Sequence, residues 1–197
     1  MIVYTVITND YDDLKPVRQT DENSYVCFTD DLHIKDNGWY LLKADKPNRW
    51  YKFHSNELFP SSKHTIYIDA NASLNKSPQD IVKELGDYSI GIQPHSQRDC
   101  IYEEADECIE LQVEDAITAR KAMDYYKSKG YPEHNGLYAN SCIVRKNDEV
   151  STMWNAYVWK WFNDLELKRD QLVTQFVTWS LKVNIQPIEM MERGRHK

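Results

Sequence analysis

The chain has 197 residues and a mass of 23.3 kDa, a length that suits one good-sized hydrophobic core and is short for two independent domains. Its formal net charge of -7 argues against duplex nucleic acid as the main partner, because affinity for a duplex comes largely from neutralising phosphates. The chain has 6 Trp and 13 Tyr, a high content for this length, and such rings line sugar and base pockets as well as filling cores.

Cysteine usage and the first residues both favour a cytoplasmic protein. We expect reduced and mostly buried thiols, because the four cysteines form no C-x-x-C pair and no dense framework: Cys27, Cys100, Cys108 and Cys142. The first ten residues, MIVYTVITND, contain neither a basic leader nor an apolar run of signal-peptide length. No other stretch reaches membrane-spanning length, so we expect no transmembrane segment.

Predicted strands alternate with predicted helices along the chain. The first strand is the nearly continuous β-branched run from Ile2 to Ile7, which is typical of a strand buried on both faces. Further strands are predicted at Tyr25 to Phe28 and within residues 64–71, 88–95 and 136–147. Helices are predicted within residues 47–59, 77–85, 97–111 with Ser96 as cap, 113–130, 151–164 and 169–182. This alternation predicts an α/β fold built on a sheet.

The carboxyl ends of four predicted strands carry polar side chains. In open α/β sheets, ligands collect at this edge, because loops diverge there and helix N-termini point inward. The side chains are Thr8, Asn9, Tyr11 and Asp12 after the first strand, Thr29, Asp30 and Asp31 after the second, Asp69 and Asn71 after the third, and His95 after the fourth. Their grouping favours a ligand site at this edge.

The tripeptide Asp69-Ala70-Asn71 has two interpretations. Asp and Asn are ordinary turn formers, so the tripeptide alone favours a simple turn. A carboxylate and an amide oxygen two residues apart can also bind Mg²⁺ or Mn²⁺ and leave places for diphosphate oxygens and water. The apolar run from Ile66 to Ile68 fixes the pair at a strand tip, which favours the metal site.

Six stretches, in this order, resemble glycosyltransferase-like proteins of the GT-A fold from bacteria, phages and plants. They are YTVITNDYDDL, YVCFTDD, RWYKFHSNELFP, IYIDAN, HSQRDCIYEEA and RDQL, spanning residue 2 to about residue 180. IYIDAN resembles the metal-binding Asp-x-Asp element of nucleotide-sugar transferases, and RDQL resembles the Asp-Gln pair that glycogenin-like and lipopolysaccharide galactosyltransferases place against the donor sugar. The resemblance implies one glycosyltransferase-like domain over residues 1–197, with a Rossmann-like nucleotide-diphospho-sugar transferase fold and a mostly parallel central sheet flanked by helices.

The resemblance also implies, position by position, which residues form the site. Thr8, Asn9 and Tyr11 would hold the nucleoside, Asp30 would help to fix the base or ribose, and Arg49 and Lys52 would face the diphosphate. Asp69 and Asn71 would bind Mn²⁺ or Mg²⁺, with His196 as a candidate third ligand. The candidate catalytic residues are Asp170 and Gln171, facing the donor sugar, and His95, contacting the acceptor or the sugar.

Several of these residues also fit a purely structural or surface role. Arg49 and Lys52 fit a solvated helix face, and Arg169 with Asp170 fits an exposed ion pair of little energetic weight. His95 fits a buried structural histidine, His196 a residue of a frayed tail, and Glu103 with Glu104 plain charge on a helix surface.

The activity implied by the resemblance is metal-assisted transfer of a hexosyl or pentosyl group from a nucleotide-diphosphate sugar, with a UDP-sugar favoured and retention of configuration suggested. The acceptor would be a glycan, a lipid-linked glycan or another hydroxyl. Cations would stabilise the diphosphate as the anomeric bond breaks. Asn71 departs from the carboxylate pattern, which weakens metal binding. The chain is short for such an enzyme, which favours recruitment of the acceptor through a partner or through a second subunit of a homo-oligomer.

Three other functions compete with this hypothesis. A non-catalytic nucleotide-sugar-binding module is favoured by the neutral Asn71. A phage-type transferase acting on modified DNA bases would use the same donor site, although the negative net charge of the chain argues against a nucleic-acid substrate. A metal hydrolase built from the six histidines has no H-E-x-x-H or close paired spacing to support it.

Overall fold

The computed structural model of the chain describes residues 1–18 and 23–193. Its strands are β1 Ile2–Ile7, β2 Ser24–Thr29, β3 Tyr40–Lys43, β4 His64–Ile68, β5 Ala72–Leu74, β6 Ile90–Pro94, β7 Tyr138–Lys146, β8 Ile185–Pro187 and β9 Met191–Arg193. Seven of them form one sheet in the order β3-β2-β1-β4-β7-β6-β8. The remaining two, β5 and β9, form a separate antiparallel pair.

The large sheet is mostly parallel. β1 pairs in parallel with β2 and β4, β2 with β3, and β6 with β8, whereas β7 runs antiparallel to both β4 and β6. The carboxyl ends of β1, β2, β4 and β6 therefore meet at one edge of the sheet, and β7 begins at that same edge. This confirms the predicted α/β fold and places the polar strand ends side by side.

The described residues form seven helices: α1 Asn48–Phe53, α2 Ser55–Leu58, α3 Pro78–Leu85, α4 Ile101–Glu110, α5 Ala116–Ser128, α6 Glu149–Asp164 and α7 Gln171–Ser180. Side-chain caps explain several of the starts. Ser77 accepts a hydrogen bond from the Asp80 amide ahead of Pro78, and Asp115 accepts one from the Thr118 amide. Asp148 and Ser151 form a reciprocal capping box at the start of α6.

Some local predictions were wrong. Residues 47–59 form two short helices rather than one, because His54 leaves the helical region with φ -125 and ψ 33. Ser96 does not cap α4, which begins only at Ile101 after an extended Cys100. The helical spacing within residues 151–164 predicts one shared face for Trp154, Tyr157, Val158 and Trp161, but Tyr157 is 45% exposed whereas Trp154 and Val158 are buried. The short strands β3, β5, β8 and β9 were not predicted.

Apolar clusters cover the sheet and position the helices that carry polar site residues. One cluster joins β6 and β7 to α4 through α7, with Tyr126 and Phe176 stacked at 4.1 Å between ring centroids. All four cysteines are buried and free, as predicted. A buried arginine of β7, Arg145, donates from Nη2 to the Lys52 carbonyl oxygen at 3.0 Å. That hydrogen bond ties α1 to the sheet next to the site.

No helix within residues 1–18 and 23–193 combines the length and the apolar character that crossing a bilayer requires.

Candidate active site at the carboxyl edge of the sheet

A cleft of about 130 Å³ opens at the carboxyl edge of the sheet. Four of the predicted site residues line it together: Tyr11, Arg49, Asp69 and Asn71. The other lining residues are Val6, Asp12, Asn48, Tyr67, Ala70, Ser141 and Arg169. The cleft therefore joins the loops after β1 and β4, the start of α1, the start of β7 and the residues before α7.

Asp69 is held in place from both sides at the tip of β4. Its backbone N–H donates to the Ser141 carbonyl oxygen at 2.8 Å, and its own carbonyl oxygen accepts from the Ala72 N–H at 3.0 Å. The hydroxyl of the buried Tyr67 donates to Asp69 Oδ1 at 2.8 Å. Burial, followed by the charge of Asp69, raises the pKa of Tyr67 well above its ordinary value, so this hydroxyl keeps its proton. The Asp69 carboxylate consequently has a fixed orientation.

Asn71 is paired with an acidic residue from the loop after β1. Its Nδ2 donates to Asp12 Oδ1 at 2.8 Å. The tripeptide from Asp69 to Asn71 is thus a turn between β4 and β5, and it also lines the cleft. Two carboxylates and one amide oxygen share this part of the cleft, and hard oxygen donors of that kind suit Mg²⁺ or Mn²⁺.

A buried ion cluster lies beside the cleft. Lys52 Nζ is 2.7 Å from Asp170 Oδ2, and Arg49 Nε is 3.1 Å from Asp170 Oδ1. Lys52 is only 2% exposed and Asp170 only 4%, so neither the solvated helix face nor the exposed ion pair describes them. Lys52 Nζ also lies 4.9 Å from the centroid of the Tyr67 ring.

The pKa values in this cluster follow from burial and charge. Burial alone would raise the pKa of the Asp170 carboxyl, but the charges of Lys52 and Arg49 hold it well below its usual range. Burial lowers the pKa of Lys52 below its ordinary value, although the charges of Asp170 and Asp69 oppose that effect. The carboxylate of Asp170 is therefore ionised at neutral pH and anchors two cations of α1.

Other buried polar groups fix the start of α7. Asn140 Nδ2 donates to Asp170 Oδ2 at 3.3 Å and to Thr174 Oγ1 at 3.0 Å. Gln171 Nε2 donates to the Tyr138 carbonyl oxygen at 3.1 Å, so Gln171 is buried against the beginning of β7. These contacts hold Asp170 and Gln171 beneath the cleft rather than among its lining residues.

The segment that leads into α7 is held by one buried carboxylate. Glu114 Oε2 accepts from the backbone N–H groups of Lys168 at 2.7 Å and Arg169 at 2.8 Å. This places Arg169 at the cleft, where its buried Nε has no hydrogen-bond partner among the residues that the structure describes. Arg169 was interpreted from the sequence only as a surface partner of Asp170, and the signal that could have identified it is its position directly before the Asp-Gln pair.

The residues predicted to hold a nucleoside lie along the loop after β1. The Asn9 backbone N–H donates to Asp30 Oδ2 at 2.8 Å, which joins the ends of β1 and β2. Thr8 is half-buried beside it, and Tyr11 is 70% exposed at the mouth of the cleft. Asp30 lines an adjoining depression of about 420 Å³ and not the cleft itself.

His95 lies at the same edge of the sheet but does not line the cleft. Its backbone N–H donates to the Leu137 carbonyl oxygen at 2.8 Å, and its Nδ1 accepts from the Arg98 N–H at 3.0 Å. Glu104 is buried and accepts from Arg98 Nε at 2.6 Å, so it is not the plain surface charge that the sequence suggested.

Two further features concern metal binding. His196 lies outside the described residues, so its predicted role as a third ligand stays a prediction. Asp99, Glu103 and His134 form an exposed cluster whose ligand atoms lie within 4.8 Å of one another. His134 Nδ1 is 2.8 Å from Asp99 Oδ1, and this hydrogen bond raises the pKa of His134 above its ordinary value.

Comparisons with known proteins agree with this architecture. Residues 41–196 match the family model described as TOD1/MUCI70, glycosyltransferase-like domain. None of the curated proteins compared with the chain matches it significantly.

Solved structures of low sequence identity share the fold. The bifunctional glycosyltransferase WbbM in its apo form aligns over 95% of this chain with a TM-score of 0.60 at 11% identity, and the chain spans 38% of the length of WbbM. Apo mouse xyloside xylosyltransferase 1 aligns over 95% of this chain and 84% of its own, with a TM-score of 0.53 at 5% identity. Galactosyltransferase LgtC, solved with donor and acceptor sugar analogues, aligns over 89% of this chain and 70% of its own, with a TM-score of 0.50 at 11% identity.

Proposed function

Because the chain belongs to the TOD1/MUCI70 glycosyltransferase-like family and has the GT-A fold, we propose that it transfers a sugar from a nucleotide-diphosphate sugar to a hydroxyl acceptor. One observation carries the proposal. The cleft at the carboxyl edge of the sheet brings the oxygen-bearing side chains of Asp12, Asp69 and Asn71 together with the guanidinium groups of Arg49 and Arg169. Such a set suits a divalent cation and a diphosphate bound side by side.

The proposed metal ligands are Asp69 and Asn71, together with Asp12, which lines the same cleft and contacts Asn71. A carboxylate from Asp12, hydrogen-bonded to Asn71, offsets the missing charge at that position. A bound Mg²⁺ or Mn²⁺ would supply positive charge to the leaving diphosphate as the anomeric C–O bond breaks. We keep His196 as a candidate further ligand.

Arg169 and Arg49 are proposed to hold the diphosphate. Arg169 suits this task because its Nε is buried at the cleft without a hydrogen-bond partner among the described residues, and a phosphate oxygen would satisfy it. Arg49 is oriented by Asp170, since its Nε lies 3.1 Å from that carboxylate. Lys52 is buried behind it and adds positive charge from below.

The sugar is proposed to lie between the cleft and the start of α7. Asp170 and Gln171 would face it there, and the ionised Asp170 would stabilise positive charge that builds on the anomeric carbon. Since Asp170 is held by Lys52, Arg49 and Asn140, contact with a sugar requires it to exchange one of these partners. His95, at the same edge but outside the cleft, is proposed to face the acceptor.

The nucleoside is proposed to lie along the loop after β1, with a UDP-sugar as the favoured donor. Tyr11 leaves its ring largely exposed at the cleft mouth, where it can stack on a base. Thr8 and Asn9 would contact the nucleoside, and Asp30 would fix the base or ribose while it accepts from the Asn9 backbone.

We further propose that residues 1–197 act as one domain and that the protein works in the cytoplasm. The support for one domain is the sheet itself, because β7 from the second half of the chain lies between β4 and β6 of the first half, and β8 pairs with β6. The support for the compartment is the set of four free, buried cysteines.

A nucleotide-sugar-binding module that performs no transfer is the second candidate. Two observations favour it: the neutral Asn71 at the metal position, and the engagement of Asp170 by two cations. The experiment that separates the candidates follows release of nucleoside diphosphate from a panel of nucleotide sugars, with Mn²⁺, with Mg²⁺ and with a chelator.

The test compares the wild-type chain with Asp69→Ala and with a matched double variant, Asp99→Asn with Glu103→Gln. The double variant removes the two carboxylates of the exposed cluster, another place among the described residues where a cation could bind. We expect metal-dependent turnover in the wild type and the double variant, and none in Asp69→Ala. Donor binding without turnover in the wild type would support the binding module, and turnover in Asp69→Ala would contradict the proposed metal site.

A further inference from the structure

A second, larger cavity lies away from the cleft, between helices α5, α6 and α7 and the edge strand β8. It has a volume of about 870 Å³, and no described residue lines both the cavity and the cleft. Its size falls within the range of about 300–1,000 Å³ that small-molecule sites occupy. None of the described residues assigned to the transfer reaction lines this cavity.

Aromatic rings form much of the cavity wall. Five of them are Tyr88, Tyr125, Tyr138, Trp161 and Trp179. Tyr125 and Trp161 lie 5.4 Å apart between ring centroids, and they also pack against the core, which holds them rigidly. Rings fixed in this way present flat apolar faces to a ligand at little cost in side-chain entropy.

A buried and unsatisfied amide points to a polar ligand. Gln175, on α7, lines the cavity and is only 4% exposed, yet its Nε2 has no hydrogen-bond partner among the described residues. Buried donors in native proteins nearly always have an acceptor, so this unpartnered donor, on a residue that lines the cavity, is a candidate partner for a ligand oxygen. An apolar ligand would leave this donor unsatisfied.

The charges around the cavity are unlike those of the chain as a whole. The protein carries a net charge of -7, but the lining includes Lys129 and Lys182 and no described acidic residue. The Lys129 ammonium lies 5.2 Å from the centroid of the Tyr125 ring, so one positive charge stands next to an aromatic wall. The remaining polar groups are hydroxyls and amides, including Asn135 and Asn184.

We propose that this cavity binds an oligosaccharide that carries carboxylate groups. The rings would stack on sugar faces, Gln175 Nε2 would donate to a sugar oxygen, and Lys129 and Lys182 would pair with the carboxylates. Hydroxyl-rich ligands with apolar ring faces satisfy the aromatic wall and the amides together, which a lipid or an apolar peptide would not do.

The cavity is joined to the candidate active site through α7 and the start of β7. Gln171, at the first residue of α7, donates to the carbonyl oxygen of Tyr138, whose ring lines the cavity. We take the bound glycan to be the acceptor chain, and this part of the inference rests on the proposed function. The binding itself does not, because it requires neither donor nor metal.

The test measures binding of acidic and neutral glycans to the full chain, without nucleotide or metal. A glycan array first identifies ligands, and a bound acidic oligosaccharide is then titrated while the Trp161 and Trp179 indole resonances are followed by NMR. The neutral oligosaccharide of the same linkage and length is the ligand control. We expect the acidic oligosaccharide to bind and to shift both resonances, and the neutral one to bind at least tenfold more weakly.

Two variants separate binding from folding. Gln175→Leu should weaken binding about tenfold through loss of one hydrogen bond, while its melting temperature stays equal or rises, because an unsatisfied buried amide is removed. Lys182→Ala should reduce the preference for acidic over neutral glycans, whereas Lys121→Ala, at an exposed position of α5 outside the cavity, should leave binding unchanged.

Several outcomes would overturn the inference. They are an array without any acidic glycan bound above background, indole resonances that do not shift, and binding that survives unchanged in both Gln175→Leu and Lys182→Ala. Because none of these measurements depends on turnover, failure of this inference and failure of the transfer activity are distinguishable.

Discussion

Lys52 Nζ lies 2.7 Å from Asp170 Oδ2, and both side chains are almost completely buried. A buried pair of this kind is costly to break, because the partner that remains keeps an uncompensated charge. The relationship links α1 to the start of α7, so it also holds two parts of the candidate site together.

We therefore expect Lys52→Met to lower the free energy of unfolding by about 3–5 kcal/mol, measured by chemical denaturation. The control is Lys160→Met, which removes the exposed pair between Lys160 and Asp164 on α6 and should cost less than about 1 kcal/mol. A loss for Lys52→Met as small as that of the control would show that Arg49 alone suffices to hold Asp170.

The depressed pKa of Asp170 predicts a pH dependence of stability. Because the folded pKa lies below the unfolded value near 3.8, the stabilisation is fully present above that value and is lost as the pH falls through the folded pKa. We expect the unfolding free energy of the wild type to fall between about pH 5 and pH 3 more steeply than that of Asp170→Asn, which has no such carboxyl. Parallel profiles for the two proteins would contradict the ionised state assigned to Asp170.

The hydrogen bond between Asn71 and Asp12 predicts the effect of adding charge at the proposed metal site. Asn71→Asp replaces that bond with two neighbouring carboxylates, so the variant should be less stable without metal and should bind Mn²⁺ more tightly than the wild type. Thermal melting with and without Mn²⁺ measures both effects. Asp12→Asn is the opposite change and should reduce the Mn²⁺-dependent rise in melting temperature. Equal responses in all three proteins would place the cation elsewhere.

If Arg169 holds the leaving diphosphate, its substitution should lower donor turnover more than substitution of an exposed arginine. Arg169→Gln should lower donor turnover by about 10²-fold, as expected when one group that stabilises developing charge is removed. Arg120→Gln, at an exposed position of α5, is the matched control and should retain wild-type turnover. Wild-type activity in Arg169→Gln would exclude it from the diphosphate site.

Glu114 should be needed to place Arg169. Its carboxylate accepts two backbone N–H groups in a buried setting, and losing one such charged acceptor typically costs about 1.5–3 kcal/mol. We expect Glu114→Gln to lose about 2 kcal/mol of unfolding free energy and to weaken donor binding. Glu110→Gln, at the exposed end of α4, should change neither quantity.

The sequence predicted the elements whose evidence is local. The β-branched run of β1 and the apolar run of β4 identified strands, and their polar ends located Tyr11, Asp69 and Asn71, which do share one cleft. Pro78 after Ser77 marked the start of α3 correctly. These features depend on residues within a few positions of one another, so local sequence patterns are enough to predict them.

The features that were missed depend on long-range contacts. Nothing local indicates that Asp170 pairs with Lys52, since the two residues are far apart in the sequence and meet only in the folded chain. The strands β5 and β9 have three residues each and exist because they pair with each other.

The pairing of β5 with β9 has a consequence for synthesis in the cell. β5 directly follows Asn71, and the strand that completes its ladder is among the last of the described residues to leave the ribosome. The strands β1, β2 and β4 can thus assemble early in synthesis. The turn that carries Asn71 is stabilised only later, when β9 pairs with β5. Ribosome-bound intermediates should accordingly expose this corner to proteases long after the neighbouring strands are protected.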